Sequence, residues 1–255
     1  MSPRLNLQDF SRIVVLTGAG VSVASGLNTY RGPGGLWTQE GALSTSAVSS
    51  APIFCATAEA IQSDPEGVWR FFSERRQSIG QAQPNAAHRA LAAAAEGLLR
   101  PGASLTVITQ NVDGLHQLAG SSNVVELHGS LWRTRCSAAA CDFRRDEDLT
   151  RIDPICPACP QCGAWLRPDV VLFHEPLPGG AEYFAKRSLR DCDLFLAIGT
   201  SGSVSPAANF VRSARFAGAR TLYLNIEPLP ADHSLFDQQL IGPAEALLPA
   251  LLGVA

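Results

Sequence analysis

The chain has 255 residues, 46% hydrophobic and 17% charged, with a formal net charge of −3. That composition supports one full hydrophobic core with small inserts and excludes an intrinsically disordered chain. The acidic balance removes the electrostatic footprint of a nucleic-acid-binding protein, and no apolar run approaches the roughly 20 residues a membrane helix needs.

Residues 1–10 carry no long apolar stretch of the kind a secretory leader has, so a cytoplasmic location is expected. Arg12–Thr17 reads as a buried strand, apolar and β-branched, closed by Gly18-Ala19-Gly20. A helical start follows, with Ser22 as a candidate cap and Gly26 as its breaker. Residues 32–80 hold a Gly/Pro-rich loop and a helix expected around Pro65–Gln77, and read as a helical insert. Helical patterns recur at Pro84–Leu99, Gly180–Arg190 and Pro206–Ala217. Between them lie strand candidates at Ser104–Ile108, Asn123–Leu127, Val170–Phe173, Leu194–Ile198 and Thr221–Ile226. Short strands alternating with helices predict an α/β fold with a parallel, doubly wound sheet, assigned to residues 1–31, 81–130 and 164–255.

Residues 131–163 break the rhythm. They are rich in Cys, Arg, Asp and Pro and too poor in apolar residues for a core of their own, so they need a metal or a disulfide. Cys136 and Cys141 enclose four residues, Cys159 and Cys162 enclose two, and seventeen residues separate the pairs. This spacing fits a closed, structural four-thiolate zinc site. Cys156 forms an overlapping Cys-x-x-Cys pair with Cys159 and stands as an alternative ligand to Cys159 or Cys162.

Gly18-Ala19-Gly20, after a strand and before a helix, suits a dinucleotide phosphate, which needs a tight turn and close backbone approach. The full G-x-G-x-x-G pattern fails at Val23, so the loop alone is weak evidence. Tyr30 and Arg31 follow on a glycine-bounded loop; the planar guanidinium of Arg31 suits phosphate, though an exposed loop arginine is the plainer alternative. Thr109-Gln110-Asn111-Val112-Asp113 and, further on, His128 stand just past two strand candidates. The carboxyl ends of strands are where open α/β sheets bind ligands, and a histidine there can act as a base near neutral pH. An ordinary polar turn with a hydrogen-bonded histidine is the competing reading.

Taken together these blocks resemble the sirtuins, NAD-dependent protein-lysine deacylases. The resemblance runs through Gly18-Ala19-Gly20-Val21-Ser22, Tyr30-Arg31-Gly32, Pro84-Asn85-Ala86-Ala87-His88, Thr109–Asp113 and Leu127-His128-Gly129. It continues in Leu166–Phe173, Gly199-Thr200-Ser201 and Asn225-Ile226-Glu227, in family order over nearly the whole chain. It implies a Rossmann-like domain with a smaller zinc-and-helix module, and NAD and zinc as cofactors. By matched position, NAD would meet Gly18, Ala19, Gly20, Tyr30, Arg31, Gln110, Asn111, Asp113, Gly199, Thr200, Ser201, Asn225 and Glu227. Asn111 and Asp113 would flank the nicotinamide ribose, and His128 would be the base that takes a proton from the ribose hydroxyls. Nicotinamide and O-acyl-ADP-ribose would be released.

The loop around Arg31–Trp37 looks most like the class III branch, which reads an acyl carboxylate with a Tyr-x-x-Arg pair. Here Arg75 is present but the tyrosine position is Phe72. A hydrogen bond to a charged group is worth about 1.5–3 kcal/mol, so deacetylation with weakened or lost desuccinylation is expected. Phe72, Arg75, Val171 and Phe173 are the expected substrate contacts, with Arg75 and Arg76 as solvated helix charges and Phe72 as core on the competing reading. His174 stands at a usual glycine position beside the peptide groove. The partner implied is an acyl-lysine protein or peptide, with no nucleic acid or membrane, and the enzyme is expected to be a monomer. Alternatives are mono-ADP-ribosyl transfer and a class III desuccinylase or demalonylase using Arg75.

Overall fold

The computed structural model describes residues 4–30, 35, 55–146, 156–229 and 235–254. Arg31 and, except for Gly35, the rest of residues 31–54 lie outside the described residues.

β1 (Arg12–Thr17) exposes only Arg12, because the strand is covered on both faces. Its neighbours are β2 (Ser104–Thr109) on one side and β7 (Leu194–Ile198) on the other, both parallel. β3 (Val124–Glu126), β8 (Arg220–Asn225) and β9 (Gln238–Ile241) complete a six-stranded sheet in the order β3-β2-β1-β7-β8-β9. Side chains of a strand alternate between faces, and two cores result. Ile13, Val15, Val107, Leu196 and Leu222 pack on one face with helices Ala86–Glu96 and Ala244–Leu252. Val14, Leu16, Ile108, Phe195 and Tyr223 pack on the other with helices Gly179–Leu189 and Phe210–Phe216. Near-continuous apolar runs are what a parallel sheet buried on both faces demands.

A second sheet of three antiparallel strands joins β5 (Arg144–Arg145), β4 (Gly129–Cys136) and β6 (Leu166–Val170). The strand expected at Val170–Phe173 is therefore shifted: the strand is Leu166–Val170 and it pairs with β4, outside the parallel sheet. Residues 171–173 instead run alongside residues 56–58, where Phe173 and Thr57 form an isolated parallel bridge. Ser22 caps no helix. Ala19–Ser25 is a 3-10 segment whose N-cap, Gly18, makes no side-chain bond, and Gly26 ends it at φ +84°.

The helix Pro65–Ile79 starts on Asp64, whose carboxylate accepts from the Gly67 amide at 2.9 Å, with Pro65 at its first position. Arg76 on that helix is buried, not solvated. Its guanidinium donates to Leu131 O, to Arg133 O at 3.1 Å and to Thr134 Oγ1 at 2.8 Å, pinning the helix to β4. Among the described residues no helix is long and apolar enough to cross a membrane.

Candidate active site and metal centre

The sheet order reverses between β1 and β7, the standard ligand position in a doubly wound sheet, and the loops leaving their carboxyl ends meet there. Glycine makes the crevice floor possible. The Gly20 amide donates to Gly199 O at 2.9 Å, and a Cβ on Gly20 would lie 2.7 Å from Gly199 Cα. Gly199 has φ +59°, and a Cβ there would meet Val21 N at 2.4 Å. The two loops thus touch backbone to backbone and leave open the cradle that a pyrophosphate requires.

Above this floor lies a cleft of about 840 Å³. Gly18, Ala19, Gly20, Gln110, Asn111, Gly199, Thr200, Ser201, Asn225 and Glu227 line it, as do Val171 and the pair Phe72 and Phe173, which share one apolar cluster; Tyr30 and His128 also face it. Asp113 and Arg75 border a small neighbouring cavity, shared with Ala19, Ser22, Tyr30 and Asn111. Arg75 holds its guanidinium carbon 5.6 Å from the Tyr30 ring centre. Its buried Nε has no hydrogen-bond partner among the described residues. Phe72 is at once a core residue, packed edge-on against Phe71, and a lining residue of the cleft.

Hydrogen bonds fix the polar groups. His128 Nδ1 lies 2.8 Å from Gln110 O. A carbonyl only accepts, so Nδ1 carries the hydrogen and Nε2 keeps its lone pair. Burial pushes the His128 pKa below the ordinary 6.5, outweighing the opposing bond to Gln110 O, so the ring is neutral at pH 7. Asn111 Nδ2 donates to Gly18 O and to Ser22 Oγ, each at 3.2 Å. Both amide hydrogens are thereby committed, and Oδ1 remains as the acceptor. Ser22 Oγ in turn donates to Asp113 Oδ2 at 2.8 Å, and Leu115 N donates to Oδ1 at 2.9 Å. Burial raises the Asp113 pKa, and these two bonds work against that rise. On the far side Gln110 Nε2 reaches Thr200 Oγ1 at 3.0 Å, and Tyr223 Oη and Asn225 Nδ2 hold Thr200 O.

Sequence reasoning missed Ser22 as the link between Asn111 and Asp113, and Tyr223 as the support of Thr200. It also missed the buried pair beneath the floor, His88 and His116, with ring centres 4.8 Å apart. His116 Nε2 lies 3.0 Å from Thr17 Oγ1, which meets Thr109 Oγ1 at 2.9 Å, and Thr109 Oγ1 accepts from the Asn111 amide. Both rings sit on helices, His88 in the first turn of Ala86–Glu96 and His116 in Leu115–Leu118, where residue type alone does not show burial.

The sulfurs of Cys136, Cys141, Cys159 and Cys162 lie within 4.8 Å of one another. The Cys136–Cys162 pair is 3.4 Å apart and Cys141–Cys159 is 3.7 Å. A disulfide would need about 2.05 Å, whereas zinc–sulfur bonds of about 2.3 Å set tetrahedral S···S edges near 3.8 Å. The four thiols fit zinc. Cys156 is turned away, with Sγ 3.3 Å from Leu166 O, and is not one of the group.

A dinucleotide-type crevice on a doubly wound sheet, a neutral histidine beside it and a four-thiol module define an α/β enzyme that binds an anionic nucleotide. The model of the Sir2 family matches residues 18–206. NAD-dependent protein deacylase 2 of Pyrobaculum aerophilum is 44% identical over 240 residues, 94% of this chain and 89% of the relative. Among solved structures, a Sir2 homolog–NAD complex superposes with TM-score 0.82 at 35% identity, over 99% of this chain and 95% of the other. A Sir2 protein holding a deacetylated p53 peptide and 3'-O-acetyl ADP-ribose gives 0.78 at 28%, over 97% and 94%. The chain belongs to the Sir2 family.

Proposed function

We propose that this NAD-dependent protein deacylase is chiefly a deacetylase, acting on acetyl-lysine in a protein or peptide, with desuccinylation weak or lost. The observation that carries this reading is the split between Phe72 and Arg75. Phe72 lines the cleft, whereas Arg75 lies against Tyr30 beside the neighbouring cavity. An apolar ring without a hydroxyl suits a short neutral acyl chain and offers no donor to an acyl carboxylate.

When bound, NAD supplies the electrophilic ribose carbon that accepts the acyl oxygen as nicotinamide leaves. The glycine cradle admits its pyrophosphate, and Gln110, Thr200, Ser201, Asn225 and Glu227 line the cleft where it would lie. Asn111 and Asp113, held through Ser22, orient the nicotinamide ribose. His128 Nε2 takes the proton from the ribose hydroxyl, and the bond from Nδ1 to Gln110 O stabilises the imidazolium that forms. Cys136, Cys141, Cys159 and Cys162 would hold zinc in a closed, structural site that would tie the small module together.

The test compares kcat/KM on one peptide carrying acetyl-, succinyl- or malonyl-lysine. Acetyl should lead by at least about tenfold, one hydrogen bond to a charged group being worth that much. A succinyl or malonyl preference would return the role to Arg75.

A further inference from the structure

The small sheet carries a row of three arginines. Arg135 on β4 sits opposite Arg144 on β5 and opposite Arg167 on β6, so all three project to one face. Like charges directly opposite destabilise a sheet, and two carboxylates offset them. Asp169 lies 3.6 Å from Arg133, 3.2 Å from Arg135 and 2.8 Å from Arg144. Glu175 serves Arg167.

Arg167 does more than fill the row. Its side chain is 5% exposed, and its fork grips Glu175 through Nη1–Oε1 at 2.5 Å and Nη2–Oε2 at 2.9 Å. Nη2 also donates to Val170 O at 2.7 Å. Glu175 Oε2 accepts the Leu172 amide at 2.9 Å, so the turn from Val170 to Glu175 closes around one guanidinium. The walls of that turn are set from outside as well. Val171 N donates to His128 O, and Phe173 exchanges backbone bonds with Ala56 and Ala58. Within the turn His174 is held at φ +71°, a left-handed conformation a side chain keeps only where its surroundings over-determine it. Residues 170–177 line the cleft, and Val170, Leu172 and Phe173 pack in one apolar cluster with Phe72 and Ala56, which form its apolar arm.

We propose that Arg167 and Glu175 are positioning residues for the acylated polypeptide: their clasp fixes the Val171–Pro176 wall against which the acyl-lysine segment lies. The proposal rests on the reading of that arm as the acyl-peptide site. A planar fork is needed, because an ammonium cannot grip both carboxylate oxygens and Val170 O together.

The experiment measures, for wild type, Arg167→Lys, Glu175→Gln and Asp169→Asn, the Kd of an acetyl-lysine peptide, the KM for NAD and the Tm. Asp169→Asn is the control, since Asp169 belongs to the same charge cluster but makes no bond to the 171–176 wall. Arg167→Lys and Glu175→Gln should bind peptide about tenfold more weakly, with the NAD KM near wild type. Asp169→Asn should lose Tm while keeping wild-type peptide affinity. Equal peptide affinity in all four proteins overturns the proposal. So does failure of both Arg167→Lys and Glu175→Gln to fold, which would make the pair a stability element. A wild-type protein that does not bind the peptide would instead overturn the reading of the arm.

Discussion

The base role proposed for His128 rests on two features: Gln110 O fixes the tautomer, and burial keeps the ring neutral. Replacing it with Ala should lower kcat/KM by about 10²–10⁴, the usual worth of a positioned general base, while zinc content and Tm stay near wild type. Near-normal turnover in that variant would remove His128 from its role. Because its pKa is depressed, the acid limb of the kcat/KM–pH profile should fall below 6.5, and a limb above 6.5 would contradict the assigned environment. Phe72→Tyr restores a phenolic donor at the cleft. It should raise succinyl relative to acetyl turnover by about one to two decades if the hydroxyl reaches the acyl carboxylate, as measured by paired progress curves.

At the scale of elements, the glycine floor makes the sharpest demand. Gly20→Ala drives a methyl into the Gly199 backbone. It should cost about 1–3 kcal/mol of stability and raise the NAD KM, read by denaturant unfolding and initial rates. Strands β1, β2, β7 and β8 were legible in the sequence because burial on both faces writes itself as an unbroken apolar run. β9, reading Gln-Gln-Leu-Ile, carries no such run, being an edge strand paired only with β8. β4 was hidden because its arginines answer to the carboxylates of Glu126 on the preceding strand and of Asp169, far along the chain. The same limit applies at the site. Asn111 and His128 stood out by residue type and place, but Ser22 looked like a local cap, and only tertiary packing turns its hydroxyl to Asp113. Cysteine spacing marked the metal module, yet choosing between Cys156 and its neighbours depended on which way each sulfur faces. Arg76 similarly looked like a surface charge until β4 supplied its three acceptors.

Across the whole molecule, the reversal of strand order between β1 and β7 sets the crevice, and the turn that follows the last strand of the small sheet lines the same cleft. Buried histidines near the crevice give the fold a pH signature. Desolvation holds His88 at about 4 and His116 at about 3, and lowers His128 as well. A depressed histidine pKa means the unfolded chain binds protons that the folded one refuses. Stability is therefore full above the unfolded value of 6.5 and is lost as pH falls toward the folded values. Between pH 6.5 and 5, before carboxylates titrate in quantity, the unfolding free energy should drop by at least about 1 kcal/mol per pH unit. A flat stability curve over that window would show that these rings are protonated in the native state.

The central claim is that one cleft joins NAD to an acetylated lysine and that His128 completes the transfer. Its most direct test is a single-turnover reaction with NAD labelled in the adenosine ribose and an acetyl-lysine peptide, followed by separation of the products. Stoichiometric nicotinamide, free-lysine peptide and label in O-acetyl-ADP-ribose, all lost in His128→Ala, are the predicted result. Label attached covalently to protein, or NAD consumption independent of the acetyl group, would contradict it.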